Sequence, residues 1–220
     1  WRVILHAIFI PIAIARGFRL TTTAFAKRSF NAYLWGIKRD QLQALAREFA
    51  DACVTTWAYP ELRAEILRHR HQGRTLVLNT ASPDFYAHEI ARALEFDHCI
   101  ATPFLIANRF PLLPRIDGEN NKREAKIKRM TEAIPGLAHL SEADRGNTWA
   151  YSDSPADIPL LDFAGQRMLV HPGGTLKRRY KDDVFTMILR PWRPYATKLG
   201  DLTRSFLQIF GCYRDSGPCR

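Results

Sequence analysis

The sequence predicts an α/β fold, with parallel strands alternating with helices after a smaller, mostly helical N-terminal stretch. Three observations lead there. After Pro60, short apolar runs alternate with amphipathic segments, the rhythm of a parallel sheet with helical crossovers. Before Pro60 no strand pattern is evident, and apolar residues recur at helical spacing. Finally, Asp153 and Asp157 lie four residues apart between an apolar run, 148–151, and an apolar helical stretch, 158–164. That reads as a loop at the carboxyl end of a strand, the edge where open parallel sheets bind ligands.

The elements follow in order. Residues 3–15 are apolar except for His6. The run is shorter than the roughly 20 residues that span a bilayer and has no small-residue cleavage pattern. Core packing is the favoured reading, with an interfacial helix as the alternative. Residues 23–35 form a helical stretch with Phe25, Ala26, Phe30 and Leu34 on one side. Asp40 can cap the next helix, whose Leu42, Leu45, Ala46, Phe49 and Cys53 follow helical spacing. Pro60 starts a helix that Gly73 stops. Strands are predicted near 75–79, 98–102, 148–151 and 167–170, as parallel neighbours in one sheet. Helices are predicted over 83–94, 121–134 and 157–164. Residues 104–116 are extended and broken by prolines, with a hairpin as one form, and end at Asp117-Gly118. The stretch 175–210 reads as helical and basic, interrupted at Pro191 and Pro194.

A chain of 220 residues suits one sizeable domain, or a domain with a small insert. Its 46% apolar and 25% charged residues are ordinary for a globular protein. The net charge of +10 sits at the ends: residues 1–39 carry seven Lys or Arg and no acid. Residues 177–220 carry ten basic and four acidic residues, and 40–176 are net negative. That distribution suits an anionic partner: a phosphate substrate, a membrane surface or nucleic acid. Aromatics are not interleaved with the basic tracts as an RNA platform requires, so nucleic acid is disfavoured. Cys53, Cys99, Cys212 and Cys219 are scattered, with no C-x-x-C and no zinc spacing. Reduced thiols in a cytoplasmic setting are expected, a Cys212–Cys219 bridge being the alternative. His69-Arg70-His71, near a helix end, is read as charge favourable to the helix dipole rather than as a metal site.

Four segments carry the chemistry. In 150–161, Asp153 and Asp157 supply hard oxygen ligands suited to Mg²⁺; the plain reading is a helix cap and a loop acid. In 76–83, an apolar strand ends in hydroxyl residues before a helix. The Thr80 hydroxyl and the amides of Ala81 and Ser82 could bind phosphate there, and Ser82 could also serve as the N-cap. Residues 118–126 hold Lys122 and Lys126; the plain reading is a solvated helix face. Residues 170–176 are a strand and turn with His171, Pro172, Gly173 and Gly174.

In order and spacing, these segments resemble the haloacid dehalogenase (HAD) superfamily, subfamily IB, the branch of phosphoserine and phosphatidylglycerophosphate phosphatases. Residues 150–161 resemble its fourth motif, 76–83 its second and 118–126 its third, while 24–28 and 35–37 resemble its helical cap. The resemblance runs from about Phe25 to about Trp192. It implies a Rossmann-like parallel sheet with helices on both faces and a small helical cap. The implied division is a cap at 1–58, a core at 59–192 and a basic helical tail at 193–220. It also implies a Mg²⁺-dependent phosphomonoester hydrolase with an aspartyl-phosphate intermediate. Asp153 would ligate the metal, and Asp157 would ligate it or hold a metal-bound water. Thr80, Ala81, Ser82 and Lys126 would bind phosphate, with Lys122 the competitor to Lys126. The basic N-terminus points to a lipid phosphate and to a cytoplasmic protein peripheral to the inner face of a membrane.

Two departures stand out. The branch's first motif, D-x-D-x-T/V, holds its nucleophile, and no D-x-D occurs in these 220 residues, so the chain is expected to be a fragment lacking its first strand. Ala156 stands where the phosphoserine branch usually has Asn, which argues against phosphoserine as substrate. The rival reading from another class is a non-catalytic protein of the same fold that binds anionic lipid or nucleic acid.

Overall fold

The computed structural model describes residues 20–191, together with Pro11, Ile12, Ala15 and Phe18. The expectations for the 3–15 run, the 193–220 tail and the Cys212–Cys219 pair fall outside most or all of the described residues. The chain divides into two compact units, Trp1–Ala50 with Val77–Ala133, and Asp51–Leu76 with Ile134–Arg220.

In the first unit, α1 (Thr23–Phe30) starts where the Thr22 side chain accepts the Phe25 N–H at 3.1 Å. A 3₁₀ turn, Asn31–Leu34, follows, then α2 (Arg39–Ala52). Asp40 lies in the first turn of α2 rather than at its cap, where its charge still complements the helix dipole. The buried stripe of α2 is Leu42, Ala46 and Ala50, narrower than the spacing predicted; Leu45 and Phe49 are exposed. β1 (Val77–Pro83) pairs in parallel with β2 (His98–Thr102), and α4 (Asp84–Ala93) crosses between them. β3 (Phe104–Leu105) and β4 (Arg115–Ile116) form a short antiparallel pair, the hairpin form of the proline-broken stretch. α5 (Glu124–Ala133) closes the unit. Its core includes Ala87, Ala91, Ile100, Phe104, Phe110 and Met130. The Phe85 ring meets Phe104 and Phe110 edge-on at 6.1 and 5.5 Å.

The second unit opens with α3 (Pro60–His71), which has Pro60 at its start. Gly73 follows at φ +68°, the left-handed conformation that a helix end favours in glycine. Then come α6 (Glu142–Gly146), β5 (Trp149–Ser152), a 3₁₀ turn at Pro155–Asp157, α7 (Ile158–Phe163), β6 (Gln166–Val170), α8 (Gly174–Arg179) and β7 (Thr186–Leu189). The strands form one parallel sheet in the order β5-β6-β7. Its core is Ala150, Leu161, Ala164, Leu169, Leu176 and Tyr180, with Ile158 and Leu160 packed against it. Leu161 and Leu176 are fully buried, each contributing about 1.5–3 kcal/mol of transfer free energy.

Two expectations are corrected here. β7 lies inside the stretch read as helical. Arg167 of β6 donates to Asp183 Oδ2 at 2.9 Å, and Asp183 also accepts from the Thr186 hydroxyl at 2.5 Å and the Phe185 N–H at 3.2 Å. That anchors the chain beside β6, where the run Thr186-Met187-Ile188-Leu189 completes a parallel ladder, and tertiary pairing overrides the helical pattern. The four predicted strands also do not bond as a single sheet: β1 pairs with β2, and β5 with β6. A ladder needs neighbours about 4.8 Å apart. Among the described residues no strand pairs with the second edge of β1 or of β5.

Candidate active site

The residues expected to bind phosphate lie in the first unit. β1 and β2 run in register from Val77 to Asn79, then the register shifts, so that Pro83 next faces Thr102. Thr80, Ala81 and Ser82 occupy the irregular stretch, and a bulge of this kind re-aims side chains at the end of a strand. The Thr80 hydroxyl accepts the Ser82 N–H at 3.1 Å, so that amide is turned onto Thr80. The N-cap of α4 is Pro83, which removes Ser82 from the capping role.

Asn121, missed in the sequence, holds this turn. It is fully buried, and its side-chain amide lies 2.9 Å from Asn79 Oδ1, 2.8 Å from the Thr80 carbonyl and 2.9 Å from the Ile100 carbonyl. Its backbone N–H donates to Thr102 Oγ1 at 3.1 Å. Asn79 in turn donates to the Lys126 carbonyl at 3.0 Å, which fastens the residue before Thr80 to the first turn of α5. Lys126 itself is 5% exposed, whereas Lys122, on the loop before α5, is half-buried.

Lys27 of α1 reaches the same turn, another residue the sequence reading did not single out. Its ammonium donates to the Ala81 carbonyl and to Asn120 Oδ1, the latter at 2.5 Å, and lies 3.4 Å from Thr102 Oγ1. Burial, with the Lys122 charge nearby, holds its pKa down at about 8. No sequence periodicity could mark Lys27: a basic residue in the last turn of a helix is ordinary.

The carboxylates lie in the second unit, beyond β5. Ser152, 7% exposed, donates to Asp157 Oδ2 at 2.8 Å and accepts the Ser154 N–H at 3.1 Å. Ser154 in turn accepts the Ala156 N–H at 3.2 Å. The serines thus fold the loop onto itself, with Asp157 at the end of its 3₁₀ turn and Asp153 exposed at its tip. The Ser-Asp-Ser-Pro wording was the available signal, since serines close such turns. Among the described residues no group of three or more His, Cys, Asp or Glu could hold a metal. Asp153 and Asp157 fit Mg²⁺ as its usual one or two protein carboxylates, with water and a phosphate completing the octahedron.

Behind β5, Tyr151 and Trp149 pack against α3. The Tyr151 hydroxyl donates to Glu65 Oε2 at 2.5 Å and lies 2.7 Å from His69 Nε2. Arg68 pairs with Glu65 at 2.6 Å and stands over the Trp149 ring at 5.1 Å. The bond from Arg68, with a second from Tyr151, lowers the Glu65 pKa despite burial. Burial and the Arg68 charge push His69 down, so it stays neutral near pH 7. His69 is therefore a packed ring rather than a dipole cation, correcting that part of the reading of 69–71.

The family model of haloacid dehalogenase-like hydrolases matches residues 1–162. The chain belongs to that family. Relatives and structures agree. Protein CicA of Caulobacter vibrioides is 27% identical over 157 residues, covering 71% of this chain and 68% of CicA. A Bordetella pertussis Tohama I protein of unknown function superposes with a TM-score of 0.69 at 23% identity, over 81% of this chain and 79% of that one. A phospho-aspartyl intermediate analogue of phosphoserine phosphatase superposes with a TM-score of 0.53 at 16% identity, over 82% of this chain and 76% of that one. The fold is thus that of the family, and the chain is a haloacid dehalogenase-like hydrolase.

Proposed function

We propose that this protein is a Mg²⁺-dependent phosphomonoester hydrolase of subfamily IB, acting through an aspartyl-phosphate intermediate. The observation that carries the reading is the fastening of Thr80 to Lys126. Thr80 sits at the irregular end of β1 and Lys126 in the first turn of α5, joined through Asn79 and Asn121 within a chain of this family. The Thr80 hydroxyl would donate a hydrogen bond to a phosphoryl oxygen. Lys126, with Lys122 as the alternative, would offset its charge. Asp153 and Asp157 would hold the cation, which when bound neutralises charge on the transferring phosphoryl group. Covalent catalysis divides one difficult displacement into two easier ones. The nucleophilic D-x-D pair is nowhere in the 220 residues, so in this reading it comes from outside them.

The region 1–58 would serve as the cap. Its excess of seven basic residues over no acid, within 1–39, favours a lipid phosphate at an anionic membrane surface, with a soluble small phosphomonoester next. Among the described residues no helix is long and apolar enough to cross a membrane, and this reading needs only peripheral attachment at a cytoplasmic face.

The test is Mg²⁺-dependent hydrolysis of an aryl phosphate. The 220 residues alone should show no turnover; with a D-x-D-x-T strand added upstream of Trp1 they should turn over, and Asp153→Asn should abolish it. Full turnover without that strand, or undiminished turnover in the extended Asp153→Asn variant, overturns the mechanism. An extended protein that is inert but binds phosphate supports the non-catalytic reading. Co-sedimentation with anionic but not neutral vesicles, reversed by salt, would support the lipid substrate.

A further inference from the structure

The loop joining β3 to β4, residues 106–114, is anchored in the core of its unit and apolar at its tip. Phe110 and Pro114 are fully buried, and the Arg28 guanidinium of α1 donates to the Pro114 carbonyl at 2.6 Å. Between these anchors Leu112 and Leu113 are 48% and 43% exposed. A neighbouring pair of large aliphatic side chains turned to water, ringed by polar groups, marks an interaction surface. Pro111 and Pro114 stiffen the tip, so little conformational freedom is lost when a partner covers it.

The rim of the tip is basic. The Phe110 N–H donates to the Ile37 carbonyl at 2.8 Å, and the Arg39 N–H to the Asn108 carbonyl at 3.1 Å. Lys38 and Arg109 therefore face each other as an antiparallel pair without hydrogen bonds of its own, the arrangement that brings opposed side chains closest. Like charges set directly opposite are unfavourable in water. Arg109 gives one N–H to the Gly36 carbonyl at 2.9 Å and keeps its other donors. On β3, Leu105 is 51% exposed and stands opposite Arg115 of β4. Residues 20–39 and 104–116 together carry six Lys or Arg and no acid. Among the described residues Lys38, Arg109 and Arg115 form no ion pair. An anionic layer lying over an apolar one relieves the basic pair and covers the leucines together. A bilayer with anionic headgroups offers both within its outer ~10 Å, whereas nucleic acid offers the charge without the apolar layer. We propose that the Leu112-Leu113 tip and the Lys38–Arg109 pair form a docking surface for an anionic bilayer. The leucines enter the boundary between headgroups and acyl chains, and the basic side chains pair with lipid phosphates. This rests on the peripheral-membrane reading above and assigns it to one patch rather than to the charge of residues 1–39 as a whole.

The test is co-sedimentation of the 220-residue chain with vesicles of phosphatidylcholine, alone or mixed equally with phosphatidylglycerol, at low and high salt. The chain should bind the mixed vesicles and ignore the neutral ones. Leu112→Ser combined with Leu113→Ser should weaken that binding about tenfold. Both side chains are exposed, so circular dichroism should show the variant folded. Lys38→Gln combined with Arg109→Gln should also weaken binding about tenfold, since each charge near such a surface contributes up to about fivefold. Lys177→Gln combined with Arg178→Gln removes the same charge from α8 and should weaken binding less. High salt should release the leucine variant completely but leave part of the unaltered chain bound, because salt screens charge and not apolar insertion. If both hairpin variants bind like the unaltered chain, or the α8 variant loses as much as the Lys38–Arg109 variant, the patch falls and the peripheral reading stands. If the leucine variant turns a dimer into a monomer by sedimentation velocity and keeps its vesicle affinity, a second copy covers the leucines and the proposal falls. If the unaltered chain binds no anionic vesicles even at low salt, both fall.

Discussion

Asn121→Leu tests how the candidate phosphate turn is held. Leucine has about the same size, so the substitution removes polarity with little change in volume. The Asn121 side-chain amide has two protons and serves three oxygens: Asn79 Oδ1, Thr80 O and Ile100 O, at 2.8–2.9 Å. Leucine leaves those acceptors without donors, at about 1–1.5 kcal/mol for each of the two protons lost. It also removes the Asn121 Oδ1 acceptor, which is buried without a hydrogen bond among the described residues. That returns about 1 kcal/mol. The net expectation is a loss of about 1–2 kcal/mol, a sizeable share of the roughly 5–15 kcal/mol that holds a domain folded. Asn121→Asp should cost more, because it sets a carboxylate against three oxygens and must bury a charge or a proton. The assay is urea unfolding of the full chain, with phosphate binding measured on the same samples. The expected stability order is Asn, then Leu, then Asp, with phosphate affinity falling in both variants as the Thr80 carbonyl is released. Unchanged midpoints, or Asp more stable than Leu, would refute the reasoning.

Tyr151→Phe removes the hydroxyl that donates to Glu65, at a cost of about 1–2 kcal/mol, the low end for a bond to a charged group because Glu65 and Arg68 are partly exposed. The Glu65 carboxyl is lowered in the folded state, so its contribution is present above its unfolded pKa of about 4.3 and lost as pH falls through the folded value. Acid unfolding curves should therefore fall more gently with pH in Tyr151→Phe than in the unaltered chain, and parallel curves would contradict the assignment. Gly165→Ala should destabilise by about 1–3 kcal/mol in thermal unfolding, since a Cβ there would lie 2.3 Å from the Arg145 carbonyl oxygen and 2.6 Å from Gly146 Cα. Ser152→Ala should lower Mg²⁺ affinity of the protein extended with the D-x-D-x-T strand, because it frees Asp157 Oδ2 from its 2.8 Å bond and loosens the loop; unchanged affinity by metal titration would show that the serine does not position that carboxylate.

The α/β class was legible because it depends on local pattern. Apolar runs of strand length, Pro60 before a helix and Gly73 after it are each decided by a few neighbouring residues. Thr80, Asp153 and Asp157 were singled out in the same way, from the words around them, and the roles given to them are those proposed above. Pairing was not legible. That β7 joins β6 depends on Arg167 meeting Asp183, residues 16 apart, and no window of sequence contains that contact. Asn121 and Lys27 were hidden for the same reason. An asparagine in a polar loop and a lysine in the last turn of a helix are what solvent-exposed segments ordinarily carry. Only folding turns Asn121 inward onto the carbonyls of two strands and sets Lys27 against Ala81, 54 residues away in the chain. Sequence by itself determined which residue types were available for phosphate chemistry. Tertiary structure decided which of them meet, because a buried polar group must find its partner wherever the packed chain places one.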